Sequence, residues 1–497
     1  MPGTPLEDAG EDAGQSDAGT DAPAADPAIE AMHQRADRAL EALMLQYWSQ
    51  LRDTDTYWTY AHDWDVVLDG AERRGPNAYS GTIRMFYESR NARGWGREFY
   101  DDLNWMVLTL VRAYDLSSDA TYLTKAREIF AEIIGGWDET CCGTNKGGIW
   151  WSTDKGSKVT ASNAGPVIAA ARLFERTNDS SYLAFAKKTY EFWAANMVDP
   201  ATGHVYDNIS SKGELNTAWS FTYNEGLMIG AAVALAHAEK DASRLTLAHE
   251  IASYMLDKET RPTPLGPIIS DGPCGSKGGD DGELFKGIGI RYLAELYLAD
   301  PSHTEYKEAI VRSATAAWTY ARDPATNLIS CDWAAPYNPD TDGVNSLASA
   351  AMTLAAAARV MGPGEPRPAL VYEAEETNLH TVGIEAKYGG FTGWGYTAGW
   401  GSNGQSIDFL VDVPKAGAYD VELRYATGED AIRRVSVNGA TAIVSAPFDA
   451  TGGYGTYGST TLALTLPSGK STITFGYDFK SGGKGFLNLD RAQLVAK

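Results

Sequence analysis

From Ala28 to about Met361, apolar side chains recur at i, i+3 and i+4, the spacing of helices that bury one stripe, with short Gly, Asp or Asn breaks between segments. Two of these breaks read almost alike. Ala113 to Leu123 and Leu173 to Leu183 each hold a helix end, a polar turn carrying an aspartate, and the start of a new helix. The pattern returns twice more: taking Tyr122, Tyr182, Arg244 and Tyr306 as equivalent positions gives intervals of 60 to 62 residues, the length of a helical hairpin. Residues 28–361 hold between five and six such hairpins, which predicts a closed ring of twelve helices. An open solenoid is the alternative that the same repeat allows. Longer segments, 135–160, 199–218, 260–284 and 323–345, join the hairpins on the other side and are rich in Gly, Asp, Asn and Trp. In a ring they gather on one face around the pore, and loops of that length in a compact domain usually serve function. After Gly362 to Pro368 the pattern switches to alternation, as in Ser406 to Val413 and Tyr419 to Tyr425, with Gly-rich turns between. This predicts a β-sandwich over 370–497, with a hairpin turn at Val437-Asn438-Gly439, and leaves 362–369 as a Pro/Gly linker. Residues 1–27 are Asp, Ala, Gly and Pro with almost no large apolar side chain, and read as a disordered acidic tether.

The composition narrows the partners. With 65 acidic against 42 basic residues the net charge is −23, which argues against nucleic acid or an anionic membrane surface and leaves a neutral ligand as the better fit. Fourteen Trp and 26 Tyr exceed what most soluble chains carry; stacking on sugar rings is one use for them and core packing the other. No uninterrupted apolar run of 18 residues occurs, so no membrane span is expected, and nothing suggests a self-complementary apolar face, so a monomer is expected. No charged and then apolar leader precedes the tether in this sequence. Cys141, Cys142, Cys274 and Cys331 lack the paired spacing of a zinc site; the vicinal pair is poorly placed to bridge itself, and the pairing stays open. The seven histidines show no metal-like spacing either.

One stretch carries chemistry. Glu98-Phe99-Tyr100-Asp101-Asp102-Leu103-Asn104-Trp105 sets two adjacent aspartates among aromatics at the start of an apolar helical run. Like charges side by side near a buried face resist ionising together, so one carboxyl is kept as an acid while its neighbour serves as a base. Retaining glycoside hydrolysis uses such a pair about 5 to 5.5 Å apart, a spacing that neighbouring residues can reach. The competing reading is an acidic first helix turn, favoured by capping and the macrodipole.

Tyr100-Asp101-Asp102 with Trp105, then Ala113-Tyr114-Asp115-Leu116, Gly136-Trp137-Asp138, Gly147-Gly148-Ile149-Trp150-Trp151, Thr222-Tyr223-Asn224-Glu225-Gly226 and Phe285-Lys286-Gly287 with Arg291-Tyr292-Leu293 resemble glycoside hydrolase family 76, the endo-α-1,6-mannanases, over about 30–361. The resemblance implies an (α/α)6 barrel and cleavage of α-1,6-linked mannose backbones, such as fungal cell-wall mannan, with retention. By that likeness Asp101 is the nucleophile and Asp102 the acid and base. Glu225 stands where many members carry Gln, placing a carboxylate near the cleft. Trp150, Trp151, Tyr223, Asn224, Glu225, Asp280, Asp281 and Lys286 are the candidate sugar contacts, with capping the other use for Asp280 and Asp281 and core packing for the tryptophans.

The C-terminal part is similar to carbohydrate-binding modules of families 35 and 6, through Tyr372-Glu373-Ala374-Glu375, Gly389 to Tyr396 and Leu487-Asn488-Leu489-Asp490. That likeness implies a jelly-roll β-sandwich with a structural calcium on Glu373, Glu375 and Asp490, oxygen donors of the kind this hard cation takes. Tyr396, Trp400 and Asn488 are then the candidate ligand contacts. The whole implies a secreted or surface-tethered endo-α-1,6-mannanase held on polysaccharide, needing no cofactor for catalysis. Sugar transfer to another hydroxyl and a non-catalytic glycan-binding scaffold are the alternatives.

Overall fold

The computed structural model describes residues 26–53, 57–75, 77–142, 146–275 and 281–497. Residues 1–25 of the expected tether and Asp280 lie outside them, while Pro27, the tether's last residue, already opens the first helix. Six helices form an inner ring: α2 (Tyr57–Arg74), α4 (Tyr100–Ser117), α6 (Thr160–Thr177), α8 (Thr222–Glu239), α10 (Gly282–Ala299) and α12 (Val344–Met361). Each packs on the next, and α12 returns to α2, so the ring closes. The helices α1 (Pro27–Asp53), α3 (Ser80–Arg93), α5 (Ala120–Ile134), α7 (Ser180–Met197), α9 (Leu245–Lys258) and α11 (Thr304–Tyr320) pack around it. This is an (α/α)6 barrel rather than an open solenoid.

The repeat seen in the sequence is a device for reversing the chain. Three of the inner helices, α4, α6 and α8, end on a residue in the left-handed region, Ser118, Asn178 and Lys240, with φ of 55° to 57°. An aspartate follows at once: Asp119, Asp179 and Asp241 each accept from the backbone N–H two residues on, capping the next element. Inner helices touch through small residues. A Cβ added to Gly226 on α8 would lie 2.6 Å from the Gly289 Cα on α10. Helix α12 is long and apolar enough to cross a membrane, but it is a wall of the barrel with 78% of its length buried.

Because short turns occupy one end, the first turns of all inner helices face the other, together with the long loops. The loop 135–160 lies across the start of α4, where Tyr100 N–H donates to Trp151 O at 2.8 Å and Thr153 N–H to Glu98 O at 3.0 Å. Buried Lys158 binds its other arm, donating to the carbonyls of Asp138 (2.8 Å), Cys141 (2.6 Å) and Gly147. Within that arm Cys141 and Cys142 are bridged to each other across a cis peptide, with Cα atoms 3.2 Å apart. The geometry that made the vicinal bridge unpromising applies to a trans peptide, whose Cα atoms are about 3.8 Å apart. Cys274 pairs with Cys331.

Residues 371–496 form two antiparallel sheets. One runs, in spatial order, Gly453–Leu466, Gly417–Thr427, Asn488–Ala496, Tyr396–Ala398 and Gly383–Glu385, with Val371–Glu373 beside the third. The other runs Ala440–Phe448, Ala431–Val437, Gly469–Gly476, Ser406–Val413 and Asn378–His380. Alternate residues of Ser406–Val413 are buried between the sheets, as a two-residue period requires. Asn438 and Gly439, both with positive φ, make the tight turn between Ala431–Val437 and Ala440–Phe448. The sandwich sits on α3: Tyr79 N–H donates to Glu376 Oε2 at 2.9 Å, Asn378 Nδ2 to Glu88 Oε2 at 3.0 Å, and Arg367 grips the Glu376 carboxylate with two nitrogens.

Candidate active site

The barrel mouth is a cleft of about 960 Å³. Its walls are mostly aromatic, with Trp58, Phe99, Trp105, Trp151, Trp219, Phe221, Tyr223 and Phe285 around the carboxylates Asp101, Asp102, Asp207 and Asp281. Both members of the sequence's acidic pair therefore reach it. They occupy the first turn of α4, where the helix dipole favours their ionised forms. Burial wins: it pushes Asp101 up to about 7, helped by the Asp102 charge, and Asp102 up to about 6 against the pull of Arg97. Both carboxyls are thus held above the ordinary range, Asp101 the more tightly, so that the pair resists full ionisation. The Trp151 indole N–H donates to Asp101 Oδ2 at 3.1 Å, while Oδ1 has no hydrogen-bond partner among the described residues.

A sequence profile of glycosyl hydrolase family 76 matches residues 32–369. The chain belongs to glycosyl hydrolase family 76. A profile of carbohydrate binding module family 6 matches residues 373–496. Among solved structures, the barrel is similar to an α-1,6-mannanase of Salegentibacter sp. HEL1_6, seen as an inactive variant with two adjacent aspartates replaced by asparagine and with α-1,6-mannotriose bound. The two are 28% identical with a TM-score of 0.59, over 66% of this chain and 99% of that one. Among curated relatives, an exo-β-D-glucosaminidase of Amycolatopsis orientalis is 33% identical over 135 residues, 27% of this chain and 13% of its own length. A mannan endo-1,6-α-mannosidase of Candida glabrata is 32% identical over 123 residues, 23% of this chain and 26% of its own. The chain therefore spans only a minor part of these two relatives. It is a glycoside hydrolase of this family, with a carbohydrate-binding module behind the barrel.

The other predicted sugar contacts divide. Trp151, 40% exposed, stands in the cleft wall with Tyr223 and Asp281. Trp150 does not: the backbone turns it inward, where its N–H donates to Asp138 Oδ2 at 3.0 Å and its ring lies under the Lys158 ammonium. Asn224 is fully buried behind the wall and donates to Asp207 Oδ1 at 3.0 Å, an oxygen that also accepts from the Tyr223 hydroxyl at 3.3 Å. Together they hold the Asp207 carboxylate toward the cleft. Glu225 is buried one step further back, accepting from Val205 N–H at 3.0 Å, and burial together with the charge of Glu259 holds its carboxyl well above the usual range. It does not line the cleft, and burial favours its neutral form. Lys286 is also out of reach, buried with its ammonium 4.9 Å from the Trp333 ring and pushed down by burial. Trp58, Asp207, Trp219 and Phe221 escaped the sequence reading. Trp219 was detectable as a large aromatic in a long polar loop, and it is 53% exposed.

In the sandwich, Tyr396 and Trp400 are completely buried, and Trp400 packs beneath the Arg433 guanidinium. Asn488 donates to the Tyr454 carbonyl at 2.9 Å. None of the three presents a free face to a sugar, because all three side chains are buried. Glu373 and Asp490 meet at Thr392, and Glu375 lies beside Glu373. The Thr392 hydroxyl lies 2.8 Å from Glu373 Oε2 and 3.1 Å from Asp490 Oδ2, and Thr392 N–H donates to Asp490 Oδ1. Glu375 is fully buried, its Oε1 accepting from Trp394 N–H and its Oε2 without a partner among the described residues. Burial pushes Glu373 up to about 7 and Glu375 well above the carboxylate range, although Arg424 pairs with Asp490. A buried cluster with more carboxylate than cation and an orphaned oxygen fits a hard divalent ion.

Proposed function

We propose that this enzyme hydrolyses α-1,6-linked mannan backbones internally and with retention of configuration. The observation that carries the reading is the pair of adjacent carboxyl groups, Asp101 and Asp102, that line an open, aromatic-rich cleft. Asp101 attacks the anomeric carbon through Oδ1 while Trp151 holds Oδ2, forming a mannosyl-enzyme intermediate. Asp102 gives its proton to the leaving oxygen and then takes one from the water that releases the sugar. In the free cleft Asp101 holds its proton more tightly than Asp102, so the proton passes to Asp102 when the glycosidic oxygen arrives. The kinship with a mannotriose-binding α-1,6-mannanase and with a mannan endo-1,6-α-mannosidase supports the substrate class. The matched binding module supports retention on polysaccharide, and two disulfides suit an enzyme working outside the cell. In the module Glu373, Glu375 and Asp490 would hold calcium, which neutralises their charge and fixes the strand ends.

The test is digestion of linear α-1,6-mannan by the wild type beside Asp101→Asn and Asp102→Asn, following new chain ends by proton NMR. The expected result is short oligosaccharides appearing first as α-anomers, with a loss on the order of 10² to 10⁴-fold in Asp102→Asn and a larger one in Asp101→Asn. New ends appearing first as β-anomers, or full activity in either variant, would overturn the mechanism. Products appearing only when an acceptor sugar is added would make the enzyme a transferase.

A further inference from the structure

At the end of the barrel opposite the cleft, three potential metal ligands from two places in the chain meet. Asp300 follows the last turn of α10, His303 precedes α11, and His249 lies in the second turn of the neighbouring outer helix α9. The two imidazoles stack with ring centroids 4.1 Å apart, and both turn Nε2 toward one carboxylate oxygen. His249 Nε2 lies 3.4 Å and His303 Nε2 3.9 Å from Asp300 Oδ2. Ligand atoms of His249, Asp300 and His303 all fall within 4.8 Å of one another.

From this we propose that His249, Asp300 and His303 bind a divalent transition-metal ion of the zinc class. What distinguishes the cluster from a set of surface ion pairs is that the second polar atom of every ligand is already occupied. His303 Nδ1 faces Glu305 Oε1 at 2.8 Å, an acceptor only, so Nδ1 carries the hydrogen and Nε2 presents its lone pair. His249 Nδ1 lies 3.0 Å from the Tyr306 hydroxyl, which can accept in the same way. Asp300 Oδ1 accepts from Ser302 N–H at 3.2 Å and from the Ser302 hydroxyl at 2.6 Å, leaving Oδ2 for the ion. Outer partners of this kind fix the tautomer and aim the lone pair of metal-bound histidines. His303 Nε2 and Asp300 Oδ2 stand 3.9 Å apart, a gap too long for a hydrogen bond.

The spacing agrees with the ion. Bonds of about 2.0 to 2.1 Å in a tetrahedron put ligand atoms roughly 3.3 Å apart; His249 Nε2 already stands 3.4 Å from Asp300 Oδ2, while His303 Nε2, at 3.9 Å, has to move closer and the stacked rings have to rotate so that both lone pairs meet the ion. Two imidazoles and one carboxylate suit zinc, cobalt, nickel or copper, whereas calcium and magnesium prefer oxygen alone. The side chains are 20% to 36% exposed, which leaves the fourth position to water. Bound there, the metal clamps the turn between α10 and α11 to α9, some distance from the chemistry.

The experiment uses the full chain without a purification tag, stripped with chelator, and compares wild type, His303→Gln and Asp300→Asn. Zinc binding is followed by titration calorimetry and thermal unfolding, and cobalt by its visible absorption. The wild type is expected to take one tightly bound zinc, to unfold at higher temperature with it, and to show the intense bands of tetrahedral cobalt. Each variant should bind at least tenfold more weakly and lose those bands, with mannan hydrolysis unchanged in all three proteins. Equal zinc affinity in wild type and both variants, or cobalt spectra that stay those of the hydrated ion, would overturn the site.

Discussion

Replacing Trp151 by Phe keeps an aromatic face in the cleft and removes a single N–H, the one donated to Asp101 Oδ2 at 3.1 Å. A hydrogen bond to a charged group contributes about 1.5 to 3 kcal/mol. With Trp151 40% exposed, the low end of that range applies. At 1.36 kcal/mol per pH unit, the loss corresponds to about one unit. The sign follows from which form is bound: the N–H stabilises the Asp101 carboxylate, so its removal makes Asp101 hold its proton more tightly. Asp101 is already the tighter holder in the free cleft, so its ionisation is the pair's second. In the proposed mechanism the active form has Asp101 ionised and Asp102 protonated, and the substitution depletes that form until Asp101 ionises. The value of log kcat/KM should therefore fall by about one unit at acid and neutral pH, the alkaline limb should begin about one unit higher, and the two profiles should converge where both carboxyls are ionised. Profiles that coincide at acid pH would show that Trp151 does not support the anion. A uniform loss at every pH would make Trp151 a sugar platform only.

Two further expectations concern parts of the barrel that touch no substrate. Gly226→Ala places a Cβ 2.6 Å from the Gly289 Cα, where no side chain can yield; overpacking of about 3 kcal/mol against a helix-propensity gain of about 1 kcal/mol leaves a net loss near 2 kcal/mol. Calorimetry should show a melting temperature several degrees lower, and an unchanged one would mean that α8 and α10 separate freely. Glu225→Gln preserves the acceptor for Val205 N–H and removes a carboxyl whose folded pKa is raised by burial and by Glu259. A raised folded pKa means that the native state binds more protons than the unfolded chain, so wild-type stability falls as pH climbs above the unfolded value. Denaturant unfolding across pH should find the variant gaining on the wild type toward alkaline pH; parallel curves would place Glu225 in contact with water.

The helical ring was readable because its chain reversals are local. Ser118-Asp119, Asn178-Asp179 and Lys240-Asp241 each combine a left-handed helix end with an aspartate cap, and both act within a few residues. Asp101 and Asp102 stood out for a similar reason, since adjacency alone makes them repel. What stayed hidden depends on which way a side chain turns. Trp150 and Trp151 are equivalent on the page, yet the bond from Tyr100 N–H to Trp151 O sets the register that sends one ring to Asp138 and the other to Asp101. Glu225 and Lys286 sit near the helix starts that open onto the cleft, but on a wall only one face of each helix reaches the pore, and theirs is the other. The histidines make the same point across a longer distance. His249 lies in α9 and His303 just ahead of α11, and they approach only because the ring sets α9 beside the turn entering α11, so spacing along the chain could not reveal them. Chemistry assembled from neighbours in sequence survives a one-dimensional reading; chemistry assembled between helices becomes visible only once the ring closes.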